Sequence, residues 1–133
     1  MHLNESIPVI GDLFKITYIE NKGIAFSMFS QSQNGFVLIV LPIVIIIGLF
    51  IFLLKEKDKY NSIFNVSILM IIAGGISNLI DRMLYKSVTD FLDLRGFAIF
   101  NIADVFAVLG CIFLVISVFF FEKNKTLNKE NKE

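Results

Sequence analysis

The chain has one histidine, one cysteine, no tryptophan and two prolines in 133 residues. With Cys111 alone, neither an intrachain disulfide nor a thiolate zinc site is possible. His2 stands near the start of the chain as the lone imidazole, so metal centres and nucleophilic triads that need one are almost excluded. Charge of one sign is also missing. Twelve Lys and Arg balance twelve Asp and Glu, and nothing in that balance points to nucleic acid. Chemistry, if there is any, must run on carboxylates, amides, hydroxyls or Lys and Arg.

Apolar residues, by contrast, are in excess. They make up 56% of the chain, with fifteen Phe and a mean hydropathy of +0.75. A single soluble domain of this length cannot hide so much apolar surface, so lipid is the expected solvent. Three stretches are long and apolar enough to cross a bilayer: residues 35–54, 62–80 and 97–121. The first two carry no charge and the third carries only Asp104.

Lys and Arg set the expected orientation. The link 55–61 and the polar tail 122–133 hold seven basic residues in nineteen positions, whereas residues 1–34 and 81–96 hold five in fifty. The link and tail are therefore placed in the cytoplasm and the other two segments outside. The fold expected is mainly α and integral to the membrane: a three-helix bundle with a small extracytoplasmic β-sheet, forming one domain over 1–133. Leu13 to Met28 is read as two short strands about an Asn21-Lys22-Gly23 turn. Val88 to Phe100 is read as a further extended or interfacial piece.

Asp104 is the most informative residue. A carboxylate in an apolar helix costs about 2.5–3.5 kcal/mol on insertion scales, so it faces protein or a water-filled pocket. Asn101, three residues earlier, belongs on the same face. A plain reading makes the two a polar clamp between helices. The string Gly74-Gly75-Ile76-Ser77-Asn78-Leu79-Ile80-Asp81-Arg82 offers Ala73, Gly74 and Ser77 for close helix approach, with Asn78 and Arg82 on one side of the helix end. Asp90 lies in the loop that emerges beside Asp104, which is expected one to two turns deep in its helix. Two carboxylates at one site do not both stay ionised cheaply, so one is held protonated, as an aspartic hydrolase requires. Asp93, the neighbouring acid, is the substitute for Asp90. Other candidates are weak: Ser27 and Ser30 lack a base, Lys22 sits in a turn, Cys111 behaves as a small hydrophobe, and Lys55 to Lys59 anchor and orient the chain.

Four strings occur in order: Asn21-Lys22-Gly23-Ile24-Ala25-Phe26-Ser27, Gly74 to Arg82, Val88-Thr89-Asp90-Phe91, and Phe100-Asn101-Ile102-Ala103-Asp104. Together they resemble the motifs of the lipoprotein signal peptidases (signal peptidase II), and the resemblance runs from Ile7 to Phe121. It implies a bacterial inner-membrane aspartic endopeptidase that cuts prolipoproteins before a diacylglyceryl-modified cysteine, without metal or cofactor. Carried over by motif, Asp90 and Asp104 are the catalytic pair, and Asn21, Gly23, Asn78, Arg82 and Asn101 line and brace the site. The implied partners are lipidated prolipoprotein signal peptides and membrane lipid, and the implied state is a monomer with its site at the extracytoplasmic face. Ile24 stands where the family more often has Ala, and Ser77 where it often has Gly. The family usually has four membrane helices, and this chain is expected to lack the first. Two alternatives stay open: a catalytically inactive truncated remnant, and a small ion- or proton-coupled membrane subunit using Asp104.

Overall fold

The computed structural model describes residues 1–23 and 35–130. Its elements follow in the order β1 (Ser6–Ile10), β2 (Phe14–Asn21), α1 (Gly35–Glu56), α2 (Ser62–Tyr85), β3 (Val88–Leu94), β4 (Ala98–Phe100) and α3 (Ile102–Glu130). Among the described residues, three helices are long and apolar enough to span a membrane, with mean hydropathy 3.5 over Val37–Glu56 of α1, 2.0 over Ser62–Tyr85 of α2 and 2.7 over Ile102–Phe120 of α3. At 1.5 Å per residue the 22 residues of α1 reach about 33 Å, enough for a hydrocarbon core of about 30 Å. The least apolar of the three spans, that of α2, is the central one and packs against both others. Asn78 and Arg82 make it less apolar, and its position gives them protein to face.

Helices α2 and α3 run antiparallel and very close. A Cβ on Gly74 would collide with the carbonyl oxygen of Ala103, and one on Gly110 would come within 2.8 Å of the Ser67 carbonyl oxygen. Backbone-to-backbone approach of this kind needs residues without side chains. Further along the pair, the Ser117 hydroxyl donates to Asn61 Oδ1 at 2.9 Å. The same oxygen caps α2 by accepting from the Phe64 N–H at 2.8 Å. Leu53, Phe64, Ile68 and Ile72 form the buried apolar cluster, with Tyr60 stacked on Phe64 at 4.0 Å. Many large apolar side chains elsewhere on the helices, Ile47, Phe50, Phe106 and Phe113 among them, are exposed and have lipid as their natural contact.

The strands form one antiparallel sheet in the order β1-β2-β3-β4. The sheet rests at one end of the bundle because β3 follows directly on α2 and β4 leads directly into α3. Lys86, in the left-handed conformation at φ 62, ends α2, and its N–H donates to the Arg82 carbonyl at 3.0 Å. Gly96, at φ +78, makes the tight turn between β3 and β4 that a side chain would strain.

Several boundaries differ from the sequence reading. The third helix begins at Ile102, not Phe97, because Ala98–Phe100 pairs with β3 as a strand. An unbroken apolar run hides that change of conformation. Helix α2 continues past Ile80 to Tyr85, and α3 continues past Phe121 to Glu130 because its polar end contains neither Gly nor Pro. Among the described residues, β2 forms a hairpin with Ser6–Ile10 through a turn at Gly11, a strand the sequence reading does not include. The expected strand at residues 24–28, with Ile24, Ser27 and Ser30, lies outside the described residues. Ala73 and Ser77 are exposed and take no part in the close helix contact, whereas Gly74 does.

Candidate active site

Asp90 sits in the middle of β3 and is 3% exposed. Both of its oxygens are engaged. Asn21 Nδ2 donates to Oδ2 at 2.9 Å, and Asn101 Nδ2 donates to Oδ1 at 2.9 Å. Burial is the main force holding this carboxyl above the ordinary carboxylate range, and the nearby Asp104 carboxylate adds to it. The two amide donors and the Arg82 guanidinium pull the other way without cancelling the effect.

Asp104 stands in the first turn of α3, about one turn nearer the helix start than expected. Its carboxylate is tied to that start. The Asn101 N–H donates to Asp104 Oδ2 at 3.1 Å, and the Asp104 N–H donates to Asn101 Oδ1 at 3.1 Å. This is a reciprocal capping arrangement, and a carboxylate is at home at the positive end of a helix. From α2, Asn78 Nδ2 donates to Asp104 Oδ1 at 2.8 Å, while Asn78 Oδ1 accepts from Asn101 Nδ2 at 3.0 Å. Asp90 and Asp104 are therefore joined through two amides, Asn101 and Asn78.

The remaining supports come from the end of β2, the turn that follows it and α2. Asn21 Oδ1 accepts from the Gly23 N–H at 2.9 Å, closing a local turn, and Arg82 Nη2 donates to the Gly23 carbonyl at 2.9 Å. Both carboxylates line one cleft of about 100 Å³, together with Asn21, Asn78, Arg82, Val88, Ala98 and Ile99. A cleft with two carboxylates, one of them held above the usual carboxylate range by burial, has the components of general acid–base chemistry on a bound carbonyl.

A family model described as signal peptidase (SPase) II matches residues 1–120. The chain belongs to the signal peptidase II family. It is 38% identical over 123 residues to a lipoprotein signal peptidase of Clostridium tetani, covering 89% of this chain and 77% of that one. The lipoprotein signal peptidase of Clostridioides difficile is 39% identical over 119 residues, with 88% and 78% covered. Among solved structures, a bacterial membrane enzyme determined by the in meso method superposes with a TM-score of 0.84 and 32% identity, covering 94% of this chain and 77% of that chain.

The seven residues singled out from the motifs of signal peptidase II all meet at this cleft or touch a residue that lines it. Asp93 does not. Three residues from Asp90 in a strand, it points to the opposite face and accepts from Thr17 Oγ1 at 2.8 Å. Asn101 meets Asp104 as its helix cap rather than as a helical neighbour. Ala98 and Ile99 also line the cleft, from β4, although their unbroken apolar run places them in the helix by sequence. Thr17, 5% exposed, was missed because a threonine in a β-branched run carries no signal of its own.

Proposed function

We propose that this chain is an aspartic endopeptidase that removes the signal peptide from lipid-modified prolipoproteins, with Asp90 and Asp104 as its catalytic pair. The reading rests on one observation: two carboxylates from different elements share a small cleft and are joined through Asn101 and Asn78. Asp90, buried and held above the usual range, keeps the shared proton, and Asp104 acts as the base. Asp104 takes a proton from water as the water oxygen bonds to the scissile carbonyl carbon. Asp90 gives its proton to the carbonyl oxygen. As the tetrahedral intermediate collapses, the C–N bond breaks, the Asp104 proton goes to the leaving nitrogen, and Asp90 recovers its own from the hydroxyl.

The amides fix the pair without titrating, and Arg82 holds the Gly23 carbonyl at the rim. The sheet and cleft lie outside the cytoplasmic membrane of a bacterium, and the basic link and tail lie inside, following the Lys and Arg distribution. The chain acts as a single membrane-embedded domain and a monomer, with the acyl chains of its substrate in lipid beside the helices. An ion pathway through Asp104 is the weaker reading, since Asp104 sits at a helix start and α1 offers no polar residue until its end.

The test is cleavage of a diacylglyceryl-modified precursor by the purified chain in detergent, against the same precursor without the lipid. Cleavage before the modified cysteine in the first only is expected. An intact lipidated precursor after prolonged incubation would establish the inactive remnant instead.

A further inference from the structure

The ladder between β2 and β3 slips by one residue. Lys15 stands opposite Asp93 and Ile16 opposite Leu92, but beyond the slip Ile19 stands opposite Asp90 and Asn21 opposite Val88. Thr17 and Tyr18 together face Phe91 alone, which is a β-bulge. Its consequence follows from strand parity. In an unbroken ladder continuing the Ile16–Leu92 register, Asn21 would lie opposite Ser87, on the Asp93 face of the sheet. One extra residue turns the end of β2 over, and Asn21 comes to the Asp90 face and donates to its carboxylate at 2.9 Å.

A closed set of hydrogen bonds holds this bulge. The Thr17 hydroxyl donates to Asp93 Oδ2 at 2.8 Å. Having spent its only proton there, it accepts from the Ser6 hydroxyl, also at 2.8 Å. On the other side of the strand, the Tyr18 N–H donates to the Glu5 carbonyl at 3.0 Å and the Tyr18 carbonyl accepts from the Asn4 N–H at 2.8 Å. Thr17 is buried and Asp93 half-buried, so their bond is shielded from competing water. None of these groups lines the cleft.

We propose that Thr17 and Asp93 are positioning residues: by locking the bulge they set the strand parity that brings Asn21 to Asp90. The proposal rests on the reading of Asp90 as catalytic. It gives Asp93 a distinct task, as the acceptor that fixes the strand on the face opposite the reacting groups.

The test is a double-mutant cycle on the full chain in detergent, read as kcat and KM for the lipidated precursor. Thr17→Val keeps the shape but removes the hydroxyl, and kcat should fall about tenfold with KM little changed, since Asn21 holds a carboxylate rather than substrate. Thr17→Ser, which restores the hydroxyl, should recover most of the rate. In an Asn21→Leu background, Thr17→Val should cost almost nothing further, because both changes remove the same bond. Should Thr17→Val fail to accumulate, Asp93→Leu with Asp93→Asn as its rescue runs the same cycle, the amide keeping an oxygen for Thr17. Losses that multiply in the Asn21→Leu background, or a fall confined to KM, overturn the proposal and leave the reading of Asp90 intact. Full-rate cleavage by Asp90→Asn, measured alongside, overturns that reading and the proposal with it.

Discussion

Asn101 and Asp104 cap each other: each backbone N–H donates to the other's side chain at 3.1 Å. The start of α3 and the orientation of one candidate carboxylate are therefore a single structural feature. The Asn101 amide also reaches Asp90, so the residue touches both acids. Asn101→Ala should lower stability by about 1 kcal/mol through the lost cap and reduce cleavage by far more than that loss explains. Thermal unfolding and cleavage rate on the same preparation separate the two effects.

Gly74 places Asn78 within reach of Asp104. A methyl group there meets the Ala103 carbonyl oxygen, which belongs to backbone and cannot swing aside. Gly74→Ala should push α2 from α3 at a cost of about 1–3 kcal/mol and weaken the Asn78–Asp104 bond one turn away. Gly48, with open space around its Cβ position, is the control, and Gly48→Ala should leave both stability and rate nearly unchanged. Equal behaviour of the two variants would remove the close contact from the account.

The pH dependence of stability has a defined sign at Asp90. Its folded carboxyl is raised, chiefly by burial, so the stability linked to it is fully present below the unfolded carboxylate range and is lost as pH rises through the folded value. The Tm of the wild type should fall relative to that of Asp90→Asn as pH rises across that window. Asn21→Leu removes a donor to the ionised form and should move the loss to higher pH. Parallel Tm curves for wild type and Asp90→Asn would contradict this.

Arg82 touches the Gly23 carbonyl through one guanidinium nitrogen, and its Nε is buried without a partner among the described residues. Lys cannot reproduce that planar group. Arg82→Lys should therefore lose about tenfold or more in cleavage while keeping the charge. Full activity would show that charge alone suffices.

Much of this was legible in the sequence, for physical reasons that differ by residue. Membrane spans depend on local length and apolarity, so α1 and most of α2 could be read directly. Asp104 stood out because a carboxylate in an apolar run is costly. The sheet was harder to read. Whether Asp90 or Asp93 faces the cleft depends on the alternation of β3, and whether Asn21 joins Asp90 there depends on a bulge in β2 with no sequence mark. Ala98 and Ile99 are as apolar as the helix they precede, so nothing announced β4. Among the small residues, Gly74 and Gly110 approach backbone while Ala73 and Ser77 do not, because helix rotation chooses among neighbours of similar size.

The central claim is that Asp90 and Asp104 act as one catalytic unit, and the most direct measurement is cleavage of lipidated precursor by Asp90→Asn, Asp104→Asn and the double variant. Asn keeps the size of each side chain but cannot cycle a proton. Both single variants should fall to background while still capturing precursor, and the double variant should be no worse than either, as for groups that work together. Cleavage retained by either single variant, with the precursor cut at the same bond, would contradict the account.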